Sequence, residues 1–139
     1  MTHPATIVIP MPPSVNGVWR KGKGGFHKSA QYTAWITEAG WALCKQPAVP
    51  CFDGEIRVHL TLGPRDKRRD LDNCAKAPLD LLQRHGIIKN DSQITDLRIM
   101  WSEKVRGCQI DIEAASPAKA HVLTTIGEAD RIAGQKAKR

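Results

Sequence analysis

Alternation of apolar and polar residues predicts four strands. Residues 55–62 alternate most regularly, and this pattern is typical of a strand with one buried face. Residues 5–10 form a β-branched run closed by proline, which predicts a short strand near the N-terminus. Residues 94–101 and 108–113 predict two more strands, joined by a short turn. On the most regular strand the apolar face consists of Ile56, Val58, Leu60 and Leu62.

Apolar residues at helical spacing predict two helices. The first covers residues 30–46, and Ser29 is placed to cap its first turn. Its apolar stripe consists of Tyr32, Trp35, Ile36, Ala39 and Leu43. The second extends from about residue 72 to residue 85, and Gly86 is placed to end it. Pro78 lies inside this helix, where a proline removes a hydrogen bond, so we expect a kink or a later helix start.

The order strand, helix, strand, helix, strand, strand predicts an α+β fold, a small mixed sheet packed by helices. Residues 10–28 contain three prolines and four glycines, and a loop of this length is typical of a binding segment or of disorder. Residues 117–139 fit a weak basic helix and a disordered tail equally well. We therefore expect one domain over residues 1–116, followed by a basic C-terminal extension over residues 117–139.

The size and composition favour a single intracellular domain. The chain has 139 residues, within the usual range of one domain. No apolar run approaches the roughly 18 residues of a membrane span, so we expect no membrane partner. The four cysteines lack the short spacing of a zinc knuckle and are typical of reduced thiols, which predicts a cytoplasmic protein.

The formal charge of +7 is unevenly distributed. Residues 1–37 contain no acidic residue, residues 65–69 carry four basic residues, and the C-terminal extension is also basic. A polyanion is the natural partner of such a chain, although charge alone does not identify any chemistry.

Two carboxylates next to the basic run are candidates for metal chemistry. Asp70 and Asp72 are two positions apart, so their side chains converge only where the backbone is extended, as at the start of a helix. Two converging carboxylates repel each other, and a hard divalent cation such as Mg²⁺ relieves the repulsion. Asp91, after the second predicted helix, is a third candidate ligand. The alternative is that the pair is solvated loop charge, with Lys76 and Asp80 forming a surface ion pair.

Four segments together resemble the RusA family of Holliday junction resolvases. They are PPSVNGVWR near the N-terminus, Ser29 with Tyr32, the central run RRDLDNCAKAPLDLLQ, and GIIKNDSQI after it. The resemblance covers residues 5–114. It implies a homodimeric endonuclease that depends on Mg²⁺, with Mn²⁺ as the alternative ion. Such an enzyme nicks two strands of a four-way DNA junction symmetrically, in recombination and repair.

The resemblance also implies roles for individual residues. The metal-binding positions of the family match Asp70, Asp72 and Asp91, and its catalytic lysine matches Lys76. The family often has two adjacent aspartates before the Ser-Gln-Ile segment, and here the first of them is Asn90. The residues expected to bind DNA are all basic and lie in the long loop and in the run before the carboxylates: Arg20, Lys21, Lys23, Lys28, Arg65, Lys67, Arg68 and Arg69.

Two other functions remain open from the sequence. One is a non-catalytic protein that binds branched DNA, in which the carboxylates have structural roles. The other keeps the nuclease chemistry but acts on other branched nucleic acids. The tryptophans at positions 35, 41 and 101 exceed what a small sheet with two helices needs, which favours an interface and hence a homodimer.

Overall fold

The computed structural model describes residues 4–14, 19–22 and 25–115, and only the backbone of residues 19–22 and 25–28. The strands are β1 (Ala5–Ile9), β2 (Trp19–Gly22), β3 (Gly25–Lys28), β4 (Ile56–Gly63), β5 (Ile94–Trp101) and β6 (Gly107–Ala114). The α-helices are α1 (Ala30–Cys44) and α2 (Lys76–Arg84), and two short 3₁₀ helices cover Leu71–Cys74 and Asp91–Gln93. The predicted C-terminal extension, residues 117–139, lies outside the described residues.

Four strands form one mixed sheet in the order β1-β6-β4-β5. β6 is antiparallel to β1 and to β4, whereas β4 and β5 are parallel. The predicted α+β fold is therefore confirmed. β5 and β6, which the sequence joins by a short connection, are not neighbours, because β4 lies between them.

The connection from β5 to β6 crosses the end of β4 at Gly63. A Cβ atom at Gly63 would overlap the carbonyl oxygens of Ser102 and Val105. The amide of Ser102 also donates to the carbonyl of Leu62 at 2.8 Å. Glycine is therefore required at this crossing by the close approach of the two backbones.

The core lies between the sheet and the two α-helices. The alternation predicted for residues 55–62 is confirmed, since the four apolar residues listed for that strand are all buried. Trp35 on α1 is also buried, and its Nε1 donates to the carbonyl of Pro10 at 3.1 Å. Trp41 on the same helix is 65% exposed. Of these two tryptophans, only Trp41 is therefore accessible to the predicted interface.

The conflict posed by Pro78 is resolved by a late start of α2. The chain first makes the 3₁₀ helix Leu71–Cys74, and α2 begins only at Lys76. Pro78 then lies in the first turn, where the amide that it lacks would have no partner within the helix. Asp72 precedes α2, so the helical ion pair is confined to Lys76 and Asp80.

The long loop contains a β-hairpin that its sequence did not reveal. β2 and β3 pair in antiparallel register from Trp19 opposite Lys28 to Gly22 opposite Gly25. Strands of four residues are too short for alternation to distinguish them from a loop. None of the helices in the described ranges is both long and apolar enough to cross a membrane.

Candidate active site

Asp70 and Asp72 lie together at the start of the first 3₁₀ helix. Asp70 has an extended backbone (φ −88°, ψ 133°), as expected, and its carbonyl accepts from the amide of Asn73 at 3.1 Å. Asp72 is within the same 3₁₀ helix, and both side chains are exposed. Within the described part of the chain neither carboxylate makes a hydrogen bond or an ion pair. Both are therefore free to accept a cation.

Asp66 organises the basic run that precedes these carboxylates. Its carboxylate accepts from the Arg68 amide at 2.9 Å and from Arg68 Nε at 3.2 Å, and it lies 3.4 Å from Arg69 Nε. The hydrogen bond from Arg68 lowers the pKa of Asp66 below its ordinary value. Asp66 had no predicted role, although an acid among four basic residues was the available signal.

Arg69 differs from the other basic residues of this run. Its side chain is three-quarters buried, and Nη1 donates to the carbonyl of Pro12 at 2.8 Å. It therefore ties the run to the segment after β1. Arg65, Lys67 and Arg68 are exposed, and the Arg68 side chain is 91% exposed although it is paired with Asp66.

The remaining residues predicted to bind DNA come from the long loop. Arg20 and Lys21 lie on β2 and Lys28 lies on β3, where only the backbone is described, and Lys23 lies outside the described residues. Their roles, like those of the basic run, stay predictions.

Asp80 links Lys76 to the buried Tyr32. Its Nζ lies 3.3 Å from Asp80 Oδ1, and the Tyr32 hydroxyl donates to Asp80 Oδ2 at 3.4 Å. Burial raises the pKa of Tyr32, and the charge of Asp80 raises it further. The motif that includes Tyr32 was recognised from the sequence, but this contact was not, because the two residues are 48 positions apart.

Asp91 lies at the other end of the sheet. It opens the second 3₁₀ helix, where the Asn90 side chain accepts from the Ser92 amide at 2.8 Å as a cap. Gln93 Nε2 donates to the carbonyls of Phe52 and Gly54, which precede β4. Asp91 is thus beside the beginning of β4, whereas Asp70 follows its end.

The parallel register of β4 and β5 shows that Asp91 precedes one end of this strand pair, whereas Asp70 comes after the other end. Ile56 pairs with Ile94 at one end, and Leu62 pairs with Trp101 at the other. At about 3.3 Å per residue, such a strand separates its ends by roughly 20 Å. Among the residues that the structure describes, no three His, Cys, Asp or Glu side chains form a group that could hold a metal ion. Asp70 and Asp72 thus lie on one short segment, and within the described residues Asp91 does not join them in a three-ligand group.

The donor set suits a hard divalent cation, since carboxylate oxygens are its usual protein ligands and Mg²⁺ commonly keeps several waters. Asp70 and Asp72 fit such an ion because both are exposed and make no hydrogen bond or ion pair with the residues that the structure describes. The ligand role of Asp91 stays a prediction.

Comparisons with known proteins agree on one family. A sequence profile described as "Endodeoxyribonuclease RusA" matches residues 10–113. A protein of Aquifex aeolicus named "Crossover junction endodeoxyribonuclease RusA" is 36% identical over 90 residues, which are 64% of this chain and 71% of that protein. A protein of the same name from Escherichia coli is 29% identical over 110 residues, which are 77% of this chain and 90% of that protein. A protein of that name from Enterobacteria phage 82 is 32% identical to this chain over 111 residues, which are 76% of this chain and 89% of the phage protein.

Proposed function

The chain belongs to the RusA family of endodeoxyribonucleases, and we propose that it resolves four-way DNA junctions as a Mg²⁺-dependent homodimer that makes two symmetric nicks. The proposal includes a role in recombination and repair. The observation that carries it is a pair of exposed carboxylates, Asp70 and Asp72, which have no partner among the described residues and lie between a basic run and Lys76. Metal-dependent cleavage of DNA uses three such components side by side: a cation site, a positive charge for the phosphate and a surface for the DNA backbone.

Asp70 and Asp72 would hold the divalent ion, with Mn²⁺ as the alternative to Mg²⁺. The chemistry that such an ion supplies is activation of a water molecule and neutralisation of charge on the phosphoryl oxygens. The local structure supports this role, because Asp70 is the N-cap residue of the 3₁₀ helix that contains Asp72, so both carboxylates lie at the start of one short helix.

Lys76 would bring its ammonium group to the scissile phosphate. Its side chain is about half exposed, and Asp80 fixes its direction through the 3.3 Å ion pair. Tyr32 in turn holds Asp80, so the lysine is oriented from the core. A cation positioned in advance stabilises charge that develops during phosphoryl transfer without reorganising at that moment.

The basic run would contact the DNA backbone beside this site. Arg65, Lys67 and Arg68 are exposed, and Asp66 keeps the turn that presents them in one conformation. Contacts of this kind release condensed counterions, so affinity for the junction should fall steeply with salt. They recognise position and shape more than sequence.

The separation of Asp91 from Asp70 supports a dimer whose active sites are shared. A two-fold axis that sets two protomers in opposite directions would bring Asp91 of one protomer to the end of the sheet where the other has Asp70 and Asp72. Each dimer would then have two composite sites related by symmetry. Two such sites are what paired cutting of a junction with approximate two-fold symmetry requires.

The test is incubation with labelled four-way junction, Y-fork and duplex DNA, with and without Mg²⁺. We expect paired nicks in the junction only, and only with the metal. Equal cutting of forks would instead favour a nuclease for branched nucleic acids in general. Binding of the junction with no cutting in Mg²⁺ or Mn²⁺ would favour the non-catalytic protein.

A further inference from the structure

Asp66 is the one acidic residue in the basic run, residues 65–69. Its carboxylate meets Arg68 through both oxygens, because Arg68 Nε donates to Oδ1 at 3.2 Å and Arg68 Nη2 donates to Oδ2 at 3.3 Å. This two-point contact uses one edge of the guanidinium group, and arginine binds the oxygens of a phosphate in the same way. Asp66 therefore occupies the place on Arg68 that a DNA phosphate would take.

The ion pair neutralises Arg68 without burying it. The Arg68 side chain is 91% exposed, so it is accessible to a DNA backbone although it is already paired. Its hydrogen bond lowers the pKa of Asp66, so the carboxylate is charged at neutral pH. An ion pair this exposed contributes little to stability, and a phosphate can displace Asp66 from it. The phosphate then gains only the difference between two similar contacts.

The backbone contacts of Asp66 are separate from this ion pair. The Arg68 amide donates to Asp66 Oδ1 at 2.9 Å, and the Arg69 amide donates to the Asp66 carbonyl at 3.0 Å. Both hydrogen bonds fix the turn, and neither requires a negative charge, since asparagine accepts from a backbone amide in the same position. Asp66→Asn thus removes the charge and keeps the turn.

The charge of Asp66 acts on Arg68 more than on Arg69. Arg69 Nε also lies 3.4 Å from Asp66 Oδ2, but the Arg69 side chain is three-quarters buried and donates to the carbonyl of Pro12. That anchor remains when the charge of Asp66 is removed. Among the described residues, Asp66 is the only partner of the Arg68 side chain. Removal of the charge therefore frees one arginine in each chain.

We propose that Asp66 is an intramolecular competitor of the DNA backbone, because its carboxylate binds the edge of Arg68 that a phosphate would bind and so weakens attachment of the basic run to DNA. This inference deepens the proposed function, and it rests on it only in that the basic run contacts DNA. Phosphate contacts supply almost all of the nonspecific affinity for DNA. Asp66 thus limits the time that the protein spends on DNA of the wrong shape.

The first test measures binding of duplex and of four-way junction DNA over a range of salt concentrations, without a divalent metal. We expect Asp66→Asn to bind duplex about two- to fivefold more tightly for each Arg68 that is freed, the range that an exposed ion pair contributes. The slope of log affinity against log salt should steepen by up to about 0.9 for each freed arginine. Asp66→Ser also accepts from the amide and should behave in the same way.

Glu113→Gln is the matched control for this measurement. It removes the same charge from a half-exposed acid that is paired with Arg57 on the sheet, outside the basic run. Its slope should equal that of the wild type. If Asp66→Asn and Asp66→Ser bind DNA with the wild-type affinity and slope, or more weakly, Asp66 does not compete with phosphate and the proposal is overturned.

The second test asks whether the effect passes through Arg68. Arg68→Ala should weaken DNA binding less in the wild type than in Asp66→Asn, because Arg68 is already neutralised in the wild type. In a chain that carries both substitutions, the gain in affinity from Asp66→Asn should disappear. A gain that survives Arg68→Ala would mean that the charge of Asp66 repels the DNA directly, and the competition for Arg68 would be refuted.

Junction cleavage separates this inference from the proposed function. If the wild type cuts junctions in Mg²⁺ while Asp66→Asn binds DNA like the wild type, the competitor is wrong and the function stands. If the wild type cuts no junction in Mg²⁺ or Mn²⁺ but Asp66→Asn binds DNA more tightly through Arg68, the competitor stands and the function is wrong.

Discussion

Asp70 has an extended backbone and an exposed side chain, and its carboxylate has no partner among the described residues. Replacing this carboxylate therefore removes no described contact that stabilises the fold. Asp70→Asn should therefore leave the fold and junction binding intact while removing a cation ligand. We expect cleavage to fall by at least about 100-fold, because groups that only support a metal ligand are commonly worth 10–100-fold.

Cleavage of labelled junction in Mg²⁺, with binding measured separately by gel shift, checks this prediction. Glu38→Gln, which removes an exposed carboxylate on α1, is the control and should cut like the wild type. Asp70→Asn cutting at the wild-type rate would end the assignment of Asp70 as a ligand.

The four cysteines divide into two reactive and two protected thiols. Cys44 and Cys51 are exposed, whereas Cys74 and Cys108 are buried. Burial raises the pKa of Cys74 and raises that of Cys108 to about 12. At pH 8 these two thiols are thus protonated, and the thiolate is the form that reacts.

Alkylation of the native protein at pH 8 should accordingly add two labels, at Cys44 and Cys51. Mass spectrometry after digestion identifies the sites, and the protein unfolded in guanidinium should accept four labels. Modification of Cys108 in the native protein as fast as that of Cys51 would contradict the buried position of β6.

At the scale of elements, the crossing over Gly63 is the tightest constraint in the fold. Gly63→Ala would place a methyl group against the carbonyls of Ser102 and Val105, and backbone cannot yield as a flexible side chain can. We expect a loss of about 3 kcal/mol or more in the free energy of unfolding, the range of severe steric replacements.

Gly54→Ala is the matched control, because a Cβ at Gly54 meets nothing within 4 Å. Its stability should change by less than about 1 kcal/mol. Urea unfolding of the two variants measures the difference, and equal stabilities would mean that the connection does not cross β4 as described.

Gln46, just after α1, forms hydrogen bonds with the backbone of the edge strand β1. Gln46→Ala removes both hydrogen bonds to the Val8 backbone, and we expect a loss of about 1–2 kcal/mol, since each bond is typically worth about 1 kcal/mol. Thermal unfolding checks this, with Gln31→Ala on the exposed surface of α1 as the control. The variant should also aggregate more readily, because the β1 edge would then be open.

The elements that the sequence predicted well are those with long periodic patterns. β4 and α1 were placed almost to the residue, since eight and fifteen residues repeat their spacing several times. The β2-β3 hairpin was missed because its strands are too short to show a period. The placement of β4 between β5 and β6 was not predictable from local patterns, because pairing partners are distant in sequence.

At the scale of the whole molecule, the same distinction applies to the candidate site. Asp70, Asp72 and Lys76 lie within seven positions, so the sequence alone shows that they belong to one short segment. The position of Asp91 depends on the direction of β5 relative to β4. Periodicity along the sequence does not show that direction. The contact between Tyr32 and Asp80 was beyond reach for the same reason.

A shared site makes a prediction that no single-chain site makes. Asp70→Asn and Asp91→Asn should each be inactive alone. In a mixed dimer, one composite site contains both substitutions and the other contains neither. After subunit exchange at equal concentrations about half of the dimers are mixed, so nicking should recover to about a quarter of the wild-type level.

The recovered activity should produce single nicks, because each mixed dimer has one intact site. A mixture of Asp70→Asn with Asp72→Asn is the control. These residues lie on the same protomer's side of each site, so both sites of every mixed dimer stay damaged and no recovery is expected. Exchange itself is verified with a tagged subunit. If exchange occurs and Asp70→Asn mixed with Asp91→Asn stays inactive, Asp91 does not act across the dimer, and the shared site is wrong.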